Sequence, residues 1–190
     1  MIFNTFATEY PISCGVTTGI THGILQGLVM LRFQNEDSPF LQQTNQDSNA
    51  LQSTADSSFE KIILSVQAIG QTIFIPLGWE LLFRDTIYTY VESNFASAKA
   101  INFIMMPILY GALHFDPRLD SPLLMPASNA SLGFFLALLR ETTGGISSTL
   151  AANMANSVAF STIIGFDLAR KLHQAKTKAA SASTSTDTTQ

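Results

Sequence analysis

Five long stretches of this sequence contain no charged side chain, and they constrain the fold more than any other feature. They are between 16 and 25 residues long, and a helix that spans a bilayer needs about 20 residues. A soluble helix carries a charged face almost every turn. The chain is therefore predicted to be an all-α, multi-pass transmembrane bundle of five to six helices. The stretches are residues 10–31, 62–79, 100–115, 121–139 and 142–166.

The overall composition agrees with a membrane bundle and excludes several classes of site. Only 13% of the residues are charged, against about 25% in soluble domains, so a soluble bundle with buried helices is the weaker alternative. The single cysteine, Cys14, excludes an internal disulfide and a cysteine metal cluster. A net charge of −4 with few basic residues argues against a nucleic-acid partner. Membrane lipid is the expected surrounding of the chain.

The chain divides into four segments. An N-terminal membrane helix is followed by a polar flexible linker, a membrane core and a tail whose composition predicts disorder. Inside the core, Pro76 is predicted to end a helix because proline lacks the backbone donor. Basic side chains follow the last helix, which is predicted to end at Leu172, so the C-terminus is expected to be cytoplasmic. The segments are 1–33, 34–58, 59–172 and 173–190, and the basic residues are Arg170, Lys171, Lys176 and Lys178.

The first membrane helix carries glycines at intervals of four residues. They are Gly15, Gly19, Gly23 and Gly27. Small residues at this spacing let two helices approach closely, so the glycines predict a packing ridge. His22 lies beside this ridge and is interpreted as a hydrogen-bonded core histidine.

Three polar features stand out in the apolar core. Glu80 and Arg84 are four residues apart in "PLGWELLFRDTIY", which places them on one side of a helix. His114 ends "MMPILYGALH", and Asn153 and Asn156 lie in "TLAANMANSV". Ionisable groups at membrane depth are costly and usually face a cavity or each other. A glutamate and a histidine meeting there could act on a water as acid and base, or could be two ligands of a divalent metal ion.

These motifs resemble those of the CAAX protease and bacteriocin-processing family of intramembrane proteases, also called the Abi family. That family has two adjacent glutamates followed after three residues by arginine, then phenylalanine followed after three residues by histidine. It ends with a late histidine and an asparagine four residues on. "WELLFR" matches the first motif at Glu80 and Arg84, and "YGALH" matches the second with Tyr110 and His114. The late stretch matches at Asn156.

The resemblance covers residues 62–166 and implies a membrane endopeptidase that cleaves prenylated CAAX peptides or leader peptides. Two of its catalytic groups are absent from this sequence. Trp79 stands where the family has the first glutamate, which is taken to activate the attacking water. The late histidine falls on Asn153 or Ala152, depending on the alignment. An indole donates a hydrogen bond but cannot take a proton.

Three functions are compatible with this pattern. The first is a hydrolytically impaired family member, a pseudoenzyme that binds a prenyl or peptide ligand or a membrane partner, with Glu80 and Arg84 as a structural pair. The second is an active protease with Glu80 as base, His114 as oxyanion or metal group, and Asn153 or Asn156 as transition-state donor. The third is a small transporter or channel, whose polar residues would line a continuous path through the membrane. It is disfavoured because the charged residues of the core are expected at a single membrane depth.

Overall fold

The computed structural model describes residues 8–33, 69–117 and 121–186. All regular secondary structure in these residues is helical, which confirms the all-α prediction. The predicted linker and the predicted start of the core, residues 34–68, lie outside the described residues. The helices are α1 (Pro11–Phe33), α2 (residues 70–94), α3 (Ala98–Ala112), α4 (Leu124–Thr143) and α5 (Ile146–Thr186).

Helix α5 is the axis of the bundle. It packs along most of α1 and also contacts α2 and α4, whereas α3 packs chiefly against α4. Gly144 joins α4 to α5 with a φ of 70°, a left-handed conformation that glycine adopts without a steric penalty. All five helices are thereby brought around one interior.

The glycines of α1 pack directly against the backbone of α5. A Cβ atom added at Gly15, Gly19 or Gly23 would lie 2.1, 2.0 or 2.5 Å from carbonyl oxygens on successive turns of α5. Real Cβ atoms do not approach oxygen so closely, so these positions require glycine. The predicted packing ridge is confirmed.

Helix α2 runs through Pro76, so the predicted break at this residue is wrong. Pro76 lies in the first turn of the α-helical segment Ile75–Glu80, directly after a π-helical turn over Gly70–Phe74. The missing proline donor therefore falls where the hydrogen-bond register already changes, which lets the helix continue. Helix α3 repeats the arrangement, because the π-helical turn Ile101–Met105 precedes Pro107.

The bundle is apolar outside, and its interior holds polar side chains beside an apolar core that includes Phe83, Leu132 and Leu136. Large apolar side chains are exposed on every helix, and among the described residues α1 is the one helix long and apolar enough to cross a membrane by length and composition. Helix α3 is a shorter apolar helix. Side chains that soluble proteins keep at their surface are here in the interior. The buried polar and charged residues are Gln26, Glu80, Arg84, Asn102, Asn129, Ser148, Thr149, Asn153 and Asn156.

A charged cluster ties three helices together near one end of the bundle. The Tyr88 hydroxyl of α2 donates to Oε2 of Glu141 at 2.7 Å, and Lys99 of α3 lies 3.0 Å from Oε1 of the same carboxylate. The Arg140 guanidinium lies over the Tyr88 ring, 5.6 Å from its centre. Glu141 of α4 thus holds α2 and α3 at a common level.

Helix α5 continues to Thr186, past its predicted end at Leu172. The described part of the segment predicted to be disordered, residues 173–186, is therefore helical. Propagating an existing helix is much cheaper than starting one, and alanine and lysine favour propagation. Residues 187–190 lie outside the described part of the chain.

Candidate functional site

Glu80 lies on the interior face of α2 and bonds to α5. Its side chain is 0% exposed, and its Oε1 accepts a hydrogen bond from Asn153 Nδ2 at 2.9 Å. Its Oε2 has no hydrogen-bond partner. Thr149 is close to the carboxyl group, but its hydroxyl donates to the Ile146 carbonyl. Glu80 is thus a buried carboxyl group with one satisfied oxygen.

Arg84 is equally buried but bonds to a different helix. Its side chain is 1% exposed, and Nη2 donates to the Gly133 carbonyl of α4 at 2.9 Å. The guanidinium also lies 5.7 Å from the centre of the Tyr110 ring. Glu80 and Arg84 attract each other electrostatically, but neither donates a hydrogen bond to the other. The two residues share the interior face that their spacing predicts and fasten α2 to two neighbours.

Trp79, the residue before Glu80, turns its indole toward the end of α3. Its ring centroid lies 5.8 Å from that of His114 and 6.0 Å from that of Tyr110. Tyr110 and His114 are themselves 4.9 Å apart by the same measure. An aromatic cluster therefore occupies the place where the family pattern has its first glutamate.

His114 lies just beyond the last residue of α3 and is half-buried. Its Nδ1 is 2.8 Å from the Tyr110 carbonyl oxygen. A carbonyl oxygen can only accept a hydrogen bond, so Nδ1 carries the hydrogen and Nε2 is the free ring nitrogen. This bond fixes both the tautomer and the orientation of the imidazole.

A cavity of about 180 Å³ lies between the helices at this level. Asn153, Asn156 and His114 all line it, together with Trp79. Glu80 does not line it and lies behind Asn153, to which it is bonded. The remaining lining residues are Gln26, Ile75, Pro76, Tyr110, Met125, Asn129, Ser157, Phe160 and Ser161. The described wall of this cavity, called the polar cavity below, thus combines amides, hydroxyls, aromatic rings and a few apolar side chains, and includes no carboxylate.

The described residues do not assemble a metal centre. They contain no group of three or more His, Cys, Asp or Glu side chains that could hold a metal ion. Glu80 and His114, the two candidate ligands, do not face the same space. Glu80 is bonded to Asn153 behind the cavity wall, whereas His114 lines the cavity.

Two residues of α1 take part in the site. Asn156 Oδ1 lies 2.9 Å from His22 Nδ1, and Asn156 Nδ2 donates to Gln26 Oε1 at 3.3 Å. The interpretation of His22 as a hydrogen-bonded histidine is confirmed, whereas its predicted core position is not, because the residue is half-buried. Gln26 escaped the sequence analysis, although it lies one turn after His22 on the same helix face.

A family model described as "Type II CAAX prenyl endopeptidase Rce1-like" matches residues 61–159, just over half of the chain. The chain belongs to this family. Neither the curated proteins nor the solved structures contain a match. The Rce1-like segment includes α2, α3, α4 and the first turns of α5, whereas α1 lies outside it.

Proposed function

We propose that this Rce1-like protein binds a prenylated peptide or a membrane partner in its polar cavity and is impaired in hydrolysis. The observation that carries the proposal is the lining of the cavity, which contains no carboxylate among the residues that the structure describes. A general base must reach the water that it deprotonates. Trp79 fills the position of the first family glutamate, and Glu80 is fully buried behind Asn153. Among its described lining residues the cavity therefore keeps groups that bind and orient, including the His114 imidazole, while lacking the carboxylate that activates water in the family pattern.

Two apolar grooves between α1 and α4 support binding of a lipid-like chain. They measure about 460 and 280 Å³ and share His22, Leu25 and Phe135. Apolar walls with a few polar groups are typical of ligand pockets. An isoprenoid chain fits such a surface, and the polar cavity on the other side of Gln26 suits a peptide.

We further propose that α1 to α5 cross the membrane as a multi-pass bundle with a cytoplasmic C-terminus. Apolar side chains cover the outside of the bundle on every helix. In a lipid environment this apolar surface has apolar surroundings, whereas in water it would drive association. Arg170 and Lys171 beyond the apolar part of α5 support the orientation.

The membrane proposal predicts that the full chain stays in the pellet when membranes are washed with carbonate at high pH and with concentrated salt. Peripheral proteins held by charge are released by these washes, because salt screens their contacts. Immunoblots of pellet and supernatant provide the measurement, with a known peripheral protein as control. Release of the chain into the supernatant would contradict the membrane proposal.

The impaired-hydrolysis proposal predicts little cleavage of a farnesylated CAAX peptide by the purified protein in liposomes. Trp79→Glu with Asn153→His should raise cleavage, because a carboxylate and a second imidazole would then line the cavity beside His114. General acid–base catalysis contributes about 10²–10⁴-fold, so the variant should exceed background by roughly 100-fold. Peptide release, followed with and without a chelator, measures the effect.

Trp79→Gln with Asn153→His is the matched control, because glutamine has the shape of glutamate without its basicity. Equal cleavage by the two double variants would show that the gain does not come from a base. Clear turnover by the unmodified protein, lost in His114→Ala, would instead establish the alternative, an active endopeptidase.

A further inference from the structure

Helix α1 lies outside the family segment, yet it forms one wall of the polar cavity. Gly23 brings the two backbones together, since a Cβ atom there would lie 2.5 Å from the Asn156 carbonyl oxygen. This close approach allows His22 and Gln26, on the same face of α1, to reach the Asn156 side chain. The contact is therefore part of the helix packing and does not depend on long, mobile side chains.

The two bonds to Asn156 fix the orientation of its amide. Asn156 Nδ2 donates to Gln26 Oε1, so Asn156 Oδ1 is the acceptor and His22 Nδ1 carries the hydrogen. Without His22, the Asn156 amide would have no partner on its Oδ1 side and could turn over. His22 thus selects which end of Asn156 faces Gln26 and the cavity.

Gln26 retains an almost unused donor at the cavity wall. Its side chain is 4% exposed and lines the cavity. Its Oε1 is occupied by Asn156, while its Nε2 lies 4.0 Å from the Met125 sulfur. A thioether is a weak acceptor, and a buried donor without a good acceptor is costly. A carbonyl oxygen of a ligand in the cavity would satisfy this donor.

We propose that α1 completes the ligand site, with Gln26 donating to a peptide carbonyl of the ligand and His22 acting as the positioning residue that holds Asn156. The inference rests on the proposed binding function. It assigns ligand recognition to a helix that the family segment does not include. The described part of the cavity wall contains neither lysine nor arginine to neutralise a carboxylate, and its amides suit an uncharged peptide carbonyl.

The positioning role is tested without ligand. The full chain is labelled with ¹⁵N-asparagine in nanodiscs, and the Asn156 side-chain amide signal is assigned by its loss in Asn156→Ala. His22→Leu should shift this signal by more than its linewidth, and His22→Gln, which keeps a donor, should restore most of its position. An unchanged signal in His22→Leu would overturn the positioning role.

The contact role is tested by titrating the same nanodiscs with a farnesylated CAAX peptide and with farnesylcysteine methyl ester, which lacks the peptide. Gln26→Met, which is similar in size, should weaken peptide binding about three- to tenfold, the effect of one lost hydrogen bond. Binding of the methyl ester should not change. Ile20→Leu, at an exposed position of α1 that lines none of these cavities, should bind both probes normally.

The outcomes separate the two proposals. Equal peptide affinity in Gln26→Met and the unmodified protein would overturn the Gln26 contact while leaving the proposed function intact. Absence of peptide binding by every form would overturn the peptide-binding part of the proposed function and the Gln26 contact with it. The positioning role of His22 is tested in either case, because the shift of the Asn156 amide signal is measured without ligand.

Discussion

Arg84→Met should lower the free energy of unfolding by about 3–5 kcal/mol, the usual cost of removing one partner of a buried charged pair. Methionine fills similar space, and the Gly133 carbonyl remains within a helix, so the main loss is the positive charge near Glu80. That carboxyl group is fully buried and has one oxygen without a partner. Titration of the reconstituted protein with a denaturing detergent, followed by circular dichroism, measures the change.

Glu80→Gln combined with Arg84→Met is the matched control for this experiment. Glutamine keeps an acceptor for Asn153 and removes the charge that Arg84 balances, so the double variant should lose less stability than the single one. Equal losses in the two variants would mean that the Arg84 bond to Gly133, which both variants lack, provides the stabilisation rather than charge balance. A single variant as stable as the unmodified protein would show that Glu80 is uncharged in the folded state.

Gly19→Ala should separate α1 from α5 and destabilise the bundle by about 1–3 kcal/mol, the usual cost of overpacking. The added methyl group would lie 2.0 Å from the Ala152 carbonyl oxygen. Backbone atoms cannot turn aside as a flexible side chain can, so one helix must move. The same detergent titration measures the loss, and a cysteine pair across the two helices would report the separation.

Gly165→Ala provides the comparison for Gly19→Ala. No atom lies within 4 Å of a Cβ added at Gly165, and alanine favours a helix over glycine by about 1 kcal/mol. This variant should therefore be as stable as the unmodified protein, or slightly more stable. A loss at Gly165 as large as the loss at Gly19 would contradict the packing argument, because an added methyl group meets no neighbouring atom at Gly165.

The features that the sequence predicts correctly depend on local spacing. The glycines of α1 are four residues apart, and this interval alone places them on one face. The interior position of Glu80 and Arg84 follows from the same rule, because two charges in an apolar stretch must face away from lipid. The motif spacing also identifies the family without knowledge of the fold.

The features that the sequence does not predict depend on distant parts of the chain. Glu80 bonds to Asn153, and Arg84 bonds to Gly133. These partners are distant in the sequence, so no local spacing rule identifies them. The helix continues at Pro76 because a preceding π-helical turn accommodates the proline, whereas proline propensity alone predicts a break. Gln26 gains its role only when α1 packs beside α5.

The packing of α1 on α5 means that the folded bundle extends beyond the segment that the family shares. The family segment, residues 61–159, ends within α5 and excludes α1. A polypeptide cut to these limits would expose the face of α5 that carries the carbonyls of Ser148 and Ala152. It would also leave the polar cavity open where Gln26 now closes it. Transplantation of the site into another scaffold must therefore carry α1 along.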